Sequence, residues 1–364
     1  MMSFIGAAFR SLLAPARVPS PGDDDGWDVR PVPSRVVAIG DLHGDVRAFG
    51  ALGHACRLMN RSGTWTGGDA HLVLMGDLVG GDWRSRLLLN AVMRLEREAE
   101  AAGGRVHALL GNHDILPVAG RFSKMRRAER DLYERHTIPD ASSCDLEDAF
   151  RGDSVYARWM RCRRVLLKIG DSLFVHAGVD RWALDIEPAA LNAAVTAWIA
   201  HWQGVGPRPP RGSRWTIKAM GAHAGGPLWT RAFKARGRKG RRAPGAPSRK
   251  TVDAVLLRYG AARVIVGHSP TNDGDILLEH PHYGDAVVLI DTRISDKRRG
   301  RMSALELRGE VRTPIYVEDR EAGAFLEEAE LGALDGTRPR LSAPAGLPAA
   351  RTGWLDRIVA FFRR

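Results

Sequence analysis

The sequence has few cysteines and no long hydrophobic run, and each shortage argues against a class of protein. Three cysteines occur among 364 residues, at positions 56, 144 and 162, and none forms a C-x-x-C pair. A disulfide scaffold and a cysteine-ligated zinc site are therefore not expected, and a reducing, cytoplasmic location is predicted. Since no apolar run reaches the roughly 18 residues of a membrane-spanning helix, an integral membrane protein is not expected either.

Acidic residues are missing from one long segment. Between Gly204 and Thr251 there are thirteen lysines and arginines and no aspartate or glutamate, so this segment accounts for the whole net charge of +12. Glycine and proline interleave with these cations, so the favoured interpretation is a solvated basic insertion over about 205–250. The alternative is a surface for an acidic partner or an anionic membrane. Nucleic acid is not the expected partner, because no aromatic residues alternate with the charges.

The two ends of the chain differ from the middle, which predicts a main domain over 35–315. Residues 1–34 are predicted to be an N-terminal appendage and linker without a clear secretory signal, and organelle targeting stays open. Residues 316–364 are predicted to be a C-terminal extension that closes with a short amphipathic helix. That helix either docks on the domain or lies peripherally on an anionic membrane.

Short apolar runs recur along the predicted domain, and each stops at a polar residue. Valine- and isoleucine-rich runs of four to six residues are typical of buried strands, and residues 86–100 have a helical pattern. Alternating strands and helices predict a layered α/β fold whose ligands gather beyond the carboxyl ends of the strands. The residues that end the six runs are Asp41, Asp77, Asn112, His176, His268 and Asp291.

These residue types suit a pair of divalent metal ions. Asp41 and His43 stand two apart, so on an extended segment they share one side and can bind one metal. The two oxygens of Asp77 could bridge both metals. The second site would be completed by Asn112, His176 and His268. Oxygen and imidazole ligands favour Mn²⁺, Fe or Zn over Ca²⁺, and two such ions can bind a phosphoryl group and activate a hydroxide.

Five short motifs surround these residues in a fixed order along the chain. They are Gly40-Asp41-Leu42-His43-Gly44, Gly76-Asp77, Gly111-Asn112-His113-Asp114, His176-Ala177-Gly178 and Gly267-His268. Together they resemble the calcineurin-like metallophosphoesterases, in the phosphoprotein phosphatase branch, and further segments resemble the Shewanella-like protein phosphatases. The resemblance covers about 35–315 and implies a layered β-sandwich flanked by helices, with a dinuclear metal site at the strand carboxyl ends.

The resemblance also implies a role for each matching residue. It implies that the first metal is held by Asp41, His43 and Asp77, and the second by Asp77, Asn112, His176 and His268. His113 matches the general acid that protonates the leaving oxygen. Arg231 is the candidate to bind phosphate oxygens through its guanidinium. The predicted activity is metal-dependent hydrolysis of phosphomonoesters on serine, threonine or tyrosine of phosphoproteins, with manganese favoured.

The chain departs from the family pattern shortly after Asp77. The family has an aspartate that orients the acid histidine and an arginine that grips phosphate, and this sequence has Gly80 and Gly81 there. The candidate replacements are Asp82 or Asp114 for orienting His113, and Arg84 or Arg293 for phosphate. The intact ligand set favours altered rate or specificity over an inactive protein.

Two other functions stay open at this point. A dinucleoside-polyphosphate hydrolase can share the same metal core, and Gly80 and Gly81 admit a catalytically weak phosphate-binding or adaptor protein. Residues 116–164 are predicted to form a helical insertion beside the cleft, and the alternating charges from 126 to 135 predict a solvated helix face. His223 is a further candidate for contact with substrate.

Overall fold

The strands form two five-stranded sheets in the computed structural model, which describes residues 26–136, 138, 145–210, 226–235, 242–295 and 300–335. The predicted amphipathic helix at 354–364, His223 and most of the predicted N-terminal appendage lie outside these residues, as do two parts of the basic insertion, 211–225 and 236–241.

The first sheet has the order β10-β9-β2-β3-β4. Its strands are β2 (Val36–Ile39), β3 (His71–Leu74), β4 (Arg105–Ala108), β9 (Met302–Arg308) and β10 (Val311–Val317). Strands β2, β3 and β4 are parallel to one another, and β9 runs antiparallel to β2 and to β10. Since β10 continues to Val317, the predicted domain boundary at 315 falls inside a strand.

The second sheet has the order β1-β5-β6-β7-β8. Its strands are β1 (Asp28–Val29), β5 (Leu166–Ile169), β6 (Ser172–Val175), β7 (Arg263–Val266) and β8 (Val287–Leu289). Strands β6, β7 and β8 are parallel, β5 runs antiparallel to β6, and β1 is parallel to β5. Each sheet thus contains three parallel strands whose carboxyl ends lie at one edge.

The two sheets face each other across an apolar core, and helices cover their outer faces. Along β2, Val36 and Ala38 join the core between the sheets, whereas Val37 and Ile39 join the larger apolar cluster that includes the helices. Because both faces are buried, the strand reads as an unbroken apolar run instead of an alternating one. This packing confirms the predicted layered sandwich.

Nine α-helices are found among the described residues. They are α1 (Val46–Ala55), α2 (Ser85–Ala101), α3 (Asn112–Val118), α4 (Arg127–Glu134), α5 (Leu146–Ala149), α6 (Val155–Arg161), α7 (Pro188–Trp202), α8 (Arg249–Tyr259) and α9 (Ala324–Asp335). The helix predicted over 86–100 is confirmed as α2.

The region predicted to be a helical insertion contains α4, α5 and α6 and is anchored to α2 by a buried arginine. The Arg86 guanidinium donates to the hydroxyl of Tyr156 at 3.0 Å and to three backbone carbonyls between residues 132 and 136. Helix α4 has the solvated face that its charges predict, since Arg127 and Glu134 are exposed, but Glu129 and Leu132 are buried. The insertion therefore packs firmly on the domain.

Helix α9 is held to the domain by buried ion pairs. Glu327 accepts from the guanidinium of Arg84 at 2.8 Å and also pairs with Arg47, while Glu330 pairs with Arg94 at 3.0 Å. The described part of the predicted C-terminal extension is thus part of the packed domain.

We expect Glu327→Gln to lower the free energy of unfolding by about 2 kcal/mol, because it removes one of the two carboxylates, Asp82 and Glu327, that pair with the buried Arg84 guanidinium. Denaturation in urea would measure the loss. Glu328→Gln, on the same helix but exposed, is the matched control and should leave stability unchanged. Equal stability of both variants would show that the ion pair does not hold α9 in place.

Candidate metal centre

The carboxyl ends of six strands converge at one edge of the sandwich. Asp41, Asp77 and Asn112 follow strands of the first sheet, and His176, His268 and Asp291 follow strands of the second. His43 lies in the turn after Asp41, and α1 begins just beyond that turn, where Asp45 caps it by accepting from the amide of Ala48 at 3.0 Å. The predicted convergence of strand ends is found in the structure.

Two groups of side chains share Asp77. Its carboxylate, with His43 and His113, places candidate ligand atoms within 4.8 Å of one another, and it does the same with His176 and His268. Asp77 Oδ2 lies 3.8 Å from His43 Nε2, and Oδ1 lies 3.4 Å from His176 Nε2. Asp77 therefore stands between the two groups, as a bridging ligand would.

In the group formed by Asp77, His176 and His268, the hydrogen bonds leave imidazole nitrogens available to bind a metal. His176 places Nδ1 2.8 Å from the carbonyl of Met75, so Nδ1 carries the proton and Nε2 can act as a ligand. Asn112 Oδ1 lies 3.1 Å from that Nε2. His268 Nε2 is buried and finds no hydrogen-bond partner among the described residues. A buried nitrogen without a partner is costly unless it binds something, and a divalent metal fits this donor set.

Asp41 completes the cluster from the first sheet. Both its oxygens accept from the amide of His268 at 3.1 Å, and Oδ1 lies 4.0 Å from His176 Nδ1. Burial, and then the nearby Asp291, raise the pKa of Asp41 well above its usual range. A divalent cation would relieve this repulsion, which is a second reason why the residues fit a metal.

The backbone is strained at the same residues. His43, Asp77 and His268 all have positive φ, at 45°, 53° and 57°, a conformation that is uncommon outside glycine. Strain of this kind persists where the surrounding structure imposes it, and it clusters at functional sites. Three of the six predicted ligands are thus aimed by unusual backbone geometry.

Electrostatics also favour a charged Asp77 among neutral imidazoles. Burial alone would raise the pKa of Asp77, but the neighbouring histidines, His176 first, lower it to about 2. Burial, and then His176 and Arg231, lower the pKa of His268 to about 3, although Asp77 acts to raise it. Ionised carboxylate and neutral imidazole are the forms that bind metal.

His113 is oriented by a backbone carbonyl. Its Nδ1 lies 3.0 Å from the carbonyl oxygen of Gly80, and its amide donates to Asp77 Oδ1 at 2.8 Å. With Nδ1 donating to this carbonyl, Nε2 is the atom left to exchange a proton with a substrate. Gly80, at φ +81°, has no room for a side chain, because a Cβ would lie 2.6 Å from His113 Nδ1.

The structure corrects the two residues proposed to orient His113. Asp114 instead accepts from the amides of Asp77 and Gly111 through Oδ2, at 2.7 and 2.8 Å, and from two further amides through Oδ1. Asp82 accepts from the Arg84 guanidinium. Asp114 thus shapes the turn that carries Asp77, and Asp82 belongs to an ion pair.

The three predicted phosphate-binding arginines have different surroundings. Arg231 donates to the carbonyl of His268 at 2.8 Å, which places it beside the cluster. Arg293 is exposed, has φ +59°, and finds no side-chain partner among the described residues. Arg84 is buried and binds Asp82 and Glu327, which corrects its prediction as a phosphate ligand. Arg231 and Arg293 thus remain as the candidates to bind phosphate.

A family model matches the part of the sequence that carries the candidate ligands. The model for calcineurin-like phosphoesterases matches residues 34–272. The chain belongs to this family. The match confirms the predicted membership and the predicted fold.

Two curated proteins are similar to this chain in sequence. The chain is 28% identical over 210 residues to Shewanella-like protein phosphatase 2 of Arabidopsis thaliana, and the match covers 47% of this chain and 53% of the relative. It is 30% identical over 143 residues to a symmetrical bis(5'-nucleosyl)-tetraphosphatase of Janthinobacterium sp. (strain Marseille), covering 37% and 44%. The chain thus spans about half the length of each of these curated relatives.

A solved structure has the same fold. The cold-active protein-tyrosine phosphatase of a psychrophilic Shewanella species superposes with a TM-score of 0.63 at 19% identity, over 85% of this chain and 84% of that one. At this identity the likeness concerns the fold alone.

The sequence alone assigned no role to Asp291 and did not predict a role for the carbonyl of Gly80. Asp291 is buried, accepts from the amide of Arg293 at 2.9 Å and is close enough to raise the pKa of Asp41. Its place after a strand was the available signal. No sequence signal marks a backbone carbonyl.

None of the described helices combines the length and apolarity needed to cross a membrane.

Proposed function

We propose that the protein is a metal-dependent phosphomonoester hydrolase that acts on phosphoproteins. The observation that carries this proposal is the cluster around Asp77, in which two groups of ligand atoms share one carboxylate and His113 lies beside it. The first metal would be held by Asp41, His43 and Asp77, and the second by Asp77, Asn112, His176 and His268. Two divalent ions, manganese by preference and iron or zinc otherwise, would supply charge stabilisation and an activated hydroxide.

The chain's own residues would perform the remaining tasks. His113 would donate the proton that the leaving oxygen needs, from Nε2, because Nδ1 is engaged by Gly80. Arg231 would bind phosphate oxygens from the side of His268, and Arg293, exposed two residues after Asp291, would add a second cationic contact.

Metal-reconstituted protein should be tested on phosphoserine, phosphothreonine and phosphotyrosine peptides, on an aryl phosphate and on a dinucleoside tetraphosphate. Efficient hydrolysis of a phosphopeptide supports the proposal. Preference for the dinucleotide would favour the second candidate, a dinucleoside-polyphosphate hydrolase, which the Janthinobacterium relative suggests. Binding of phosphate without turnover on any substrate would favour a phosphate-binding or adaptor protein.

The basic insertion is proposed to steer acidic phosphoproteins to the site. Replacing Lys239, Arg241 and Arg242 by glutamine should lower kcat/KM for an acidic phosphopeptide at low salt. Steering by charge is screened beyond a Debye length of about 8 Å at physiological salt and reaches further when salt is low. An aryl phosphate with an uncharged aryl group should show no such loss in kcat/KM. The value of kcat should hardly change for either substrate. If both substrates behave alike at low salt, the insertion does not steer substrate.

A further inference from the structure

A buried carboxylate from the helical insertion (116–164) reaches the segment that orients His113. Glu129, on α4, is fully buried, and its Oε1 accepts from the amide of Gly80 at 2.9 Å. Its Oε2 accepts from the amide of Arg126 at 3.3 Å, at the start of the same helix. One carboxylate thus joins the helix of the insertion to the segment after Asp77.

Gly80 connects Glu129 to His113. The amide of Gly80 donates to Glu129, and its carbonyl accepts from His113 Nδ1 at 3.0 Å. Burial raises the pKa of Glu129, whereas the hydrogen bonds from the amides of Gly80 and Arg126 lower it. Gly80 is thus held on both sides, by Glu129 at its amide and by His113 at its carbonyl, so the bond to Glu129 fixes where the carbonyl lies.

The family's usual aspartate could not serve at position 80 in this arrangement. A Cβ there would lie 2.6 Å from His113 Nδ1 and 3.3 Å from its Cβ and Cγ, and the positive φ of Gly80 would strain any side chain. Any carboxylate that acts on His113 would therefore have to come from elsewhere in the chain. Glu129 is placed to do so through the backbone of Gly80.

We propose that Glu129 is a positioning residue: it fixes Gly80 so that the Gly80 carbonyl holds the Nδ1 proton of His113 and leaves Nε2 to serve the leaving oxygen. This inference rests on the proposed function only for its kinetic consequence. The orientation of His113 can be measured without any substrate.

The kinetic test compares Glu129→Gln with Glu134→Gln, an exposed glutamate on the same helix. In Glu129→Gln the side-chain NH₂ meets backbone amides that need an acceptor. We expect kcat for a phosphoserine peptide to fall by on the order of tenfold to a hundredfold, with metal content retained. Hydrolysis of p-nitrophenyl phosphate, whose leaving group needs little protonation, should change less than threefold or so. Equal losses on both substrates would overturn the proposal.

A double variant tests whether Glu129 acts through His113. If it does, Glu129→Gln should cost almost nothing in a protein that already carries His113→Asn, because the two residues form one unit. Losses that multiply would mean that Glu129 supports the site by another route and would overturn the proposal.

A spectroscopic test separates this inference from the proposed function. In the full chain, loaded with diamagnetic Zn²⁺ and labelled with ¹⁵N-histidine, the His113 signal assigned by its loss in His113→Asn should report a protonated Nδ1. Glu129→Gln should shift it toward a mixture of tautomers, and Glu134→Gln should not. An unchanged tautomer overturns the inference, even if the protein hydrolyses no phosphoester. Should Glu129→Gln not fold, Glu129→Asp, which keeps the charge but withdraws it from Gly80, is expected to give the same shift.

Discussion

Replacing Asp77 by asparagine is expected to remove metal binding and phosphoester hydrolysis together. Asp77 is the one residue common to both groups of candidate ligands among the described residues, and its two oxygens face His43 and His176. Because an amide has only one oxygen ligand and no charge, the loss should exceed the ~10- to 100-fold effect of changing a residue that merely supports a ligand.

Metal content and stability should change with activity. Elemental analysis after dialysis should find two metals per chain in the unmodified protein and fewer in Asp77→Asn. Manganese at about 1,000 times its Kd should stabilise the unmodified protein by about 4 kcal/mol, and the variant by much less. Asp69→Asn, at an exposed aspartate, is the matched control. An Asp77→Asn protein that keeps both metals and full activity would disprove the bridging role.

Replacing His113 by asparagine is expected to lower kcat for a phosphoserine peptide by roughly 10²-fold or more, as loss of a general acid does. The imidazole lies beside Asp77 and is held at Nδ1 by the Gly80 carbonyl, which suits it to proton transfer at Nε2. The loss should shrink on p-nitrophenyl phosphate, since that leaving group departs as an anion.

The same variant distinguishes an acid from a ligand. His113 lies within 4.8 Å of ligand atoms of His43 and Asp77, so its position alone is compatible with either role. Metal content should stay at the level of the unmodified protein. A variant that loses metal and is equally impaired on every substrate would identify His113 as a ligand. His54→Asn, at a histidine on α1 outside the cluster, controls for the substitution itself.

Residues that directly follow strands were the predictable part of the site. A strand buried on both faces is an apolar run, so its end is visible in the sequence, and Asp41, Asp77 and His268 each stand just beyond one. Parallel neighbours bring such ends to one edge, which is why local patterns were enough to group them. The same reasoning recognised α2, whose apolar positions repeat with helical spacing.

Residues that act across long stretches of chain were not predictable. Arg84 resembles a phosphate ligand in sequence, but Glu327, 243 residues away, binds its guanidinium. In sequence, Asp114 resembles a partner of its neighbour His113. In the structure its oxygens accept hydrogen bonds from backbone amides 35 to 37 residues earlier in the chain. Such pairings depend on how the elements pack, and no local pattern records them.

The sequence by itself indicated the apolar strand segments, the candidate ligands that follow them and the family, because each strand end and each motif is a pattern of residues close together in the chain. Tertiary structure alone decided how His113 is oriented and which cations are left for phosphate. Glu129 shows why: its position in a charged helix predicts solvent exposure, yet packing buries it against Gly80, 49 residues away. A buried carboxylate must find hydrogen-bond donors, and only the folded chain supplies the amides that it binds.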